Sequence, residues 1–345
     1  MTRNEIIELL TLEGKEEQQL LDQALACKLS HLDNKVHLRG LIELSSLCGK
    51  NCLYCGLRAS NTEATRYTMS DEEVLDCARQ AVALNYGSVA LQCGEQQSEA
   101  FADRMERLCR LIKQEGNLGI TLSCGEQSAE VYARWREAGA HRYLLRIESS
   151  TPELYYKIHP HDSRHDFDTR MRCIETLKQL GYQTGSGVMI GLPFQTMEHL
   201  ADDLLFFQQM DIAMVGMGPF IPHPQTPLWQ YRDIIPSKEE RLRLTLKMIA
   251  VLRLMMPKIN MVSATANQTI SPRGRELGIL AGANVVMPNL SPLTHREDYS
   301  IYPDKAGVND TAQQCSDNLE ALLAAIGHEI EYGAWGDSKH WAMNS

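Results

Sequence analysis

From Val36 onward the chain repeats one unit: a short apolar run, a polar loop, then a stretch with apolar residues at helical spacing. The apolar runs fall at 38–45 (LRGLIELS), 88–92 (SVALQ), 119–123 (GITLS), 142–147 (RYLLRI), 185–190 (GSGVMI), 213–218 (AMVGMG), 260–265 (NMVSAT) and 284–287 (NVVM). Helical spacing lies between them at 71–85, 98–115, 127–138, 166–180, 196–209, 237–256 and 271–281, with a last helix at 311–326. An earlier helical stretch over 4–32 carries Ile6, Leu9, Leu10, Leu20, Leu21 and Leu25. Near-continuous apolar strands alternating with helices specify parallel βα units. Eight such units predict an α/β fold, a closed (β/α)8 TIM-type barrel. An open doubly wound sheet is the alternative, but no G-x-G-x-x-G fingerprint follows the first strand to support it. The expected division is an N-terminal helical segment over 1–35, the barrel over 36–290, and a C-terminal extension packed on the barrel over 291–345.

Composition narrows the class. The 345 residues are 43% hydrophobic, enough for a large core. A net charge of −10 argues against a nucleic-acid binder working through a broad basic face. The start, MTRNEIIELLTLEGKEE, lacks the apolar core of a secretory signal. No apolar run approaches the ~18 residues that span a membrane. A cytoplasmic protein without a membrane partner is expected. Ten cysteines in such a chain point to reduced thiols and a metal site, not a disulfide framework.

The chemistry concentrates after the first strand, in Cys48-Gly-Lys-Asn-Cys52-Leu-Tyr-Cys55, a C-x3-C-x2-C pattern. Three thiolates within eight residues can wrap one iron–sulfur cluster from a single loop. With no fourth cysteine nearby, one iron keeps an open position, as a catalytic metal site requires. The competing readings are a zinc site and three coincidental core cysteines. Zinc motifs normally bring a second ligand pair, and none follows. Coincidence fits poorly with a polar loop at the C-terminal end of a barrel strand, where active sites form.

This motif, with an aromatic (Tyr54) before its third cysteine, is similar to the signature of the radical S-adenosylmethionine (SAM) superfamily. The stretches VHLRGLIELSSLCGKNCLYCGLR, LQCGEQ, RYLLRIES, GYQTGSGVMIGLPFQT, MVGMGPFIPHPQTPL, ANVVMPNLSP and YGAWGDSK resemble, more narrowly, the HydE-type [FeFe]-hydrogenase maturases of its biotin synthase-like branch. The resemblance implies a radical SAM barrel carrying a [4Fe-4S] cluster on Cys48, Cys52 and Cys55. It implies SAM as the second cofactor, cleaved by one electron to methionine and a 5′-deoxyadenosyl radical. The implied substrate is a cysteine-bound Fe(CO)2(CN) unit, and the implied partners are sister maturation proteins and an electron donor. Two alternatives stay open. One is a radical SAM enzyme of the same branch acting on a small organic substrate, as a methylornithine synthase-like mutase. The other is a non-catalytic iron–sulfur or zinc protein.

Further site residues are expected at strand ends. Glu148, at the end of the fourth apolar run, suits the SAM ammonium. The resemblance assigns Arg170 to the SAM carboxylate and leaves Arg172 to solvent. Gln92 and Ser123 are placed to hydrogen-bond SAM. Cys93-Gly94-Glu95 partly matches a Gly-Gly-Glu-like turn that holds the SAM amine. Gly187 to Pro193 is placed against the adenosine. A substrate chamber is expected from Arg146, Met214, Thr265, Met287, Tyr299 and Tyr302. Cys27, Cys77, Cys93, Cys109, Cys124 and Cys173 read as packing. Cys315 stands alone where some relatives carry a cysteine set, so no second cluster is expected.

Overall fold

The computed structural model describes residues 1–342. Its strands are β1 (Lys35–Leu38), β2 (Gly40–Ser45), β3 (Ser88–Cys93), β4 (Gly119–Ser123), β5 (Ala140–Leu144), β6 (Gln183–Ile190), β7 (Met214–Pro219), β8 (Asn260–Ser263), β9 (Val285–Val286) and β10 (Glu329–Ile330). All pair in parallel, and the order of neighbours is β10-β1-β9-β8-β7-β6-β5-β4-β3-β2. β1 and β2 form one bent strand split at Arg39. It bonds to β3 on one edge, and on the other to 284–290 through His37 N to Asn284 O, Arg39 N to Val286 O and Leu41 N to Pro288 O. The sheet thereby closes on itself as an eight-position barrel, with β10 added outside β1.

Helices follow the strands on the outside, and their starts are written in the sequence. Ser70, Ser98, Ser128, Asp166, Thr196, Ser237 and Thr311 each accept the backbone N–H three residues on, satisfying one of the free donors of a helix start. The first helical stretch is two helices, Arg3–Thr11 and Gly14–Leu32, packed against helix Lys238–Met255.

Two boundaries differ from expectation. The apolar run 142–147 outlasts its strand: β5 ends at Leu144, although Leu145 and Ile147 stay buried. Arg146 and Glu148 therefore lie beyond the ladder, and Glu148 rejoins it by a single bridge to Val188. Thr265 does not end a strand; it opens helix Thr265–Ile270, and a second short helix, Gly274–Leu280, follows.

The segment 332–338 lies across the amino-terminal end of the barrel. Asp337 accepts from Arg142 Nη1 (2.7 Å), Gln183 Nε2 (3.0 Å) and faces His141 Nε2 (3.0 Å). Gly336 O accepts from Arg39 Nη2 and Asn260 Nδ2. Burial and the Arg142 charge compete at Asp337, and with its hydrogen bonds the carboxyl is held well below its usual range. Among the described residues no helix is long and apolar enough to cross a membrane.

Candidate active site

Ser45 ends β2 at the barrel mouth, and the following loop carries Cys48, Cys52 and Cys55. The loop is shaped by its backbone partners: Gly49 N donates to Glu95 O (2.8 Å), Gly94 N to Ser45 O (3.1 Å) and Leu53 N to Ile158 O (3.0 Å). Arg66 binds four of its carbonyls, those of Ser46, Leu57, Arg58 and Asn61, at 2.7 to 3.1 Å. At Gly94 a Cβ would fall 2.3 Å from Leu47 O and 2.6 Å from Cys48 Cβ, so only glycine lets the end of β3 approach the loop this closely.

The three thiols open into a cavity of about 440 Å³ that runs into the barrel. Burial pushes the Cys55 thiol up to about 12, with Cys48 adding to it, and burial raises Cys48 and Cys52 as well. All ten cysteines are free thiols. Among the described residues no three His, Cys, Asp or Glu side chains converge on a position for one metal ion. Three thiols from one loop that border one cavity fit the thiolate set of an iron–sulfur cluster, whose charge would offset the cost of desolvated thiolates.

Next to the loop sits a buried quartet of charges. Lys50 Nζ donates to Glu126 Oε2 (2.7 Å), lies 3.0 Å from Glu95 Oε1, and also donates to Arg164 O. Arg170 Nε lies 2.6 Å from Glu126 Oε1, an ion contact without hydrogen-bond alignment, and Nη2 is 3.6 Å from Glu95 Oε2. No member is more than 11% exposed. Burial opposes the Arg170 charge, but Glu126 and Glu95 outweigh it and raise its pKa, while burial raises that of Glu95. Two cations against two carboxylates leave the quartet neutral, the condition under which buried charges are tolerated. Arg172, two residues on, is exposed.

Across the cavity Arg146 grips Glu148 through both nitrogens and also donates to Gly216 O (2.6 Å) and Val188 O (2.9 Å). Tyr54 OH meets His159 Nε2 at 3.2 Å. Gln92 Nε2 donates to Tyr299 OH (3.3 Å), and Lys305 binds both oxygens of Glu43.

Every expected cofactor-side residue (Tyr54, Gln92, Glu95, Ser123, Glu148 and Arg170) borders this one cavity, as do Arg146, Thr265, Met287, Tyr299 and Tyr302. Met214 does not. Its sulfur accepts from Arg39 Nη1 (3.1 Å) in the packed lower barrel, because it begins β7 and so lies at the closed end. Gly187 abuts Gly216 and Arg146; a Cβ there would lie 2.1 Å from Gly216 O.

Lys50, Arg66, Glu126, His159 and the Glu43–Lys305 pair are site residues the sequence reading did not single out. For Glu126 a signal existed: Cys93-Gly-Glu-Gln96 recurs as Cys124-Gly-Glu-Gln127 at the end of the next strand. The repeat sets Glu95 and Glu126 on neighbouring strand ends.

The chain matches the model of the radical SAM superfamily over residues 42–207. It is 41% identical over 309 residues to the [FeFe] hydrogenase maturase subunit HydE of Thermotoga maritima, covering 90% of this chain and 85% of that protein. It is 30% identical over 305 residues to the 3-methylornithine synthase of Methanosarcina barkeri, covering 88% and 83%. The crystal structure of methylornithine synthase superposes with a TM-score of 0.82 at 26% identity, over 96% of this chain and 94% of that one. With the cysteine loop, the barrel and these likenesses together, the chain belongs to the radical SAM superfamily, whose members imply a [4Fe-4S] cluster and SAM.

Proposed function

We propose that this protein cleaves SAM at a [4Fe-4S] cluster held by Cys48, Cys52 and Cys55, and that it acts as a HydE-type maturase in assembly of the [FeFe]-hydrogenase di-iron site. The observation that carries the reading is that the three thiols open into the same cavity as Glu148 and Arg170. The likeness to the Thermotoga maritima protein over nine-tenths of the chain supplies the maturase role.

When bound, the cluster and SAM supply a 5′-deoxyadenosyl radical. The chain's own residues bind and orient. Glu148 takes the SAM ammonium and Arg170 its carboxylate, each by charge-assisted hydrogen bonds. Tyr54, Gln92, Glu95 and Ser123 complete that wall. The substrate, a cysteine-bound Fe(CO)2(CN) unit delivered by a sister maturation protein, sits deeper, near Arg146, Thr265, Met287, Tyr299 and Tyr302. The plug at 332–338 closes the far end, which keeps water from the reacting centre.

The likeness to methylornithine synthase over 96% of the chain favours one second reading, a mutase acting on a small organic substrate. A cell-free maturation mixture separates the two. It contains apo-hydrogenase and every maturation factor except HydE, and receives this protein after anaerobic cluster reconstitution, with Cys52→Ser as control. Hydrogen evolution with the native protein alone is the expected result. No activation, but SAM cleavage to 5′-deoxyadenosine in a separate vial, moves the substrate to another small molecule. Neither signal from a cluster-loaded preparation overturns the enzymatic reading.

A further inference from the structure

Among the described residues most charges bordering the cavity are paired, and Arg275 and Asp310 make no ion pair. Arg146 meets Glu148, Lys305 meets Glu43, and Lys50 and Arg170 meet Glu95 and Glu126. Arg275, from helix Gly274–Leu280, opens on the same cavity. Among the described residues its guanidinium makes no ion pair and no hydrogen bond, and its Nε is buried without a partner. Burial pulls its pKa down, and Cys315, Tyr302 and Asp310 oppose that without forming an ion pair.

Gln268 also borders the cavity, and its Oε1 is buried with no donor. The two residues come from neighbouring segments: a Cβ on Gly274 would lie 2.0 Å from Asn267 O and 2.7 Å from Gln268 N. A guanidinium whose Nε is buried unpaired and a buried amide oxygen without a donor, both bordering one cavity, cost stability unless something fills both valences. A guanidinium fork fits a carboxylate through two parallel hydrogen bonds, and an amide oxygen accepts from an ammonium.

We propose that Arg275 and Gln268 form the recognition site for an α-amino-acid group on the substrate, with the carboxylate on Arg275 and the ammonium on Gln268 Oε1. The assignment rests on the proposed use of this cavity for substrate and specifies which end of the substrate is held where. It demands no particular metal chemistry, so an amino acid bearing an iron unit and a free one both satisfy it.

The test is calorimetric titration of the cluster-loaded, SAM-bound protein without reductant, using three thiols as probes: L-cysteine, cysteamine (no carboxylate) and 3-mercaptopropionate (no amine). The shared thiol cancels any contact with iron. L-cysteine is expected to bind about tenfold more tightly than either analogue. Arg275→Gln erases the preference over cysteamine, and Gln268→Leu erases the preference over 3-mercaptopropionate. SAM affinity is unchanged in both. Arg275→Lys, which keeps the charge but not the fork, retains part of the preference and carries the test if Arg275→Gln misfolds. Equal binding of the three probes, no binding of any, or a preference that survives Arg275→Gln overturns the assignment. Loss of hydrogenase activation with the preference intact sinks the maturase reading and leaves this one standing.

Discussion

Arg146 and Glu148, two residues apart, face each other through two hydrogen bonds of 2.7 and 2.9 Å, and Glu148 reaches that position with φ at +63°. The left-handed conformation is unfavourable for a side chain of this size. Here the Arg146 fork and the bridge to Val188 hold it in place. Glu148→Gln replaces the ionic pair by a weaker one and leaves Arg146 short of a counter-charge. It is expected to lower stability by about 2 kcal/mol and to weaken SAM binding. Urea denaturation and SAM titration of the loaded protein measure the two effects. A variant indistinguishable from native in both would show the pair to be incidental.

The Gly94 contact predicts a defect in cluster loading, not in folding. Gly94→Ala pushes a methyl into Leu47 O and Cys48 Cβ. After anaerobic reconstitution the variant should carry less than half the iron per chain of the native protein, with its circular dichroism spectrum unchanged. Full iron content would mean the loop shifts at no cost.

Asp203 makes stability depend on pH. It is buried, its Oδ1 accepts from Ser150 N (2.7 Å) and Oγ (2.6 Å), and its Oδ2 has no partner. Burial raises its pKa to about 7, only partly opposed by the Ser150 hydrogen bonds. The folded value lies above that of the unfolded carboxyl. The stabilisation is therefore complete below the unfolded pKa and is lost as pH rises through about 7. Native protein should lose stability between about pH 4 and pH 7 with a slope of at most about 1.4 kcal/mol per unit from this group. Asp203→Asn should flatten that part of the profile. An unchanged slope in the variant would assign the effect elsewhere.

At the closed end, Asp337→Asn leaves Arg142, which is fully buried, without a counter-ion. The expected loss is roughly 3 kcal/mol, seen as a lower denaturation midpoint at unchanged m-value. The double variant Arg142→Met with Asp337→Asn should recover part of it. No recovery would place the loss in packing.

Periodicity carried the barrel because each strand is buried on both faces and each outer helix on one. It failed where burial and pairing part company. Leu145 and Ile147 are as buried as strand residues but lie beyond the ladder, so an apolar run cannot reveal where β5 stops. Thr265 follows Ser263 without a turn signal, and only tertiary contact makes it a helix start. The cysteine loop was legible because its three thiols are local in sequence. The charge quartet was legible only in part: Glu95 and Arg170 were expected and the repeat marks Glu126, but the four come from three loops and a helix, and nothing in their local spacing joins them. Met214 shows the limit of strand alternation, which gives a side chain's face but not its height along the barrel axis.

The segment that seals the barrel lies far along the chain from the site above it. Arg39 and Arg142, near the start of the first and fourth barrel strands, depend on Gly336 and Asp337 for partners. The cysteine loop precedes those partners by some 280 residues. Mouth and floor are therefore built from distant parts of the chain, so removing 332–338 would leave every candidate active-site side chain in place and strip two arginines of those partners.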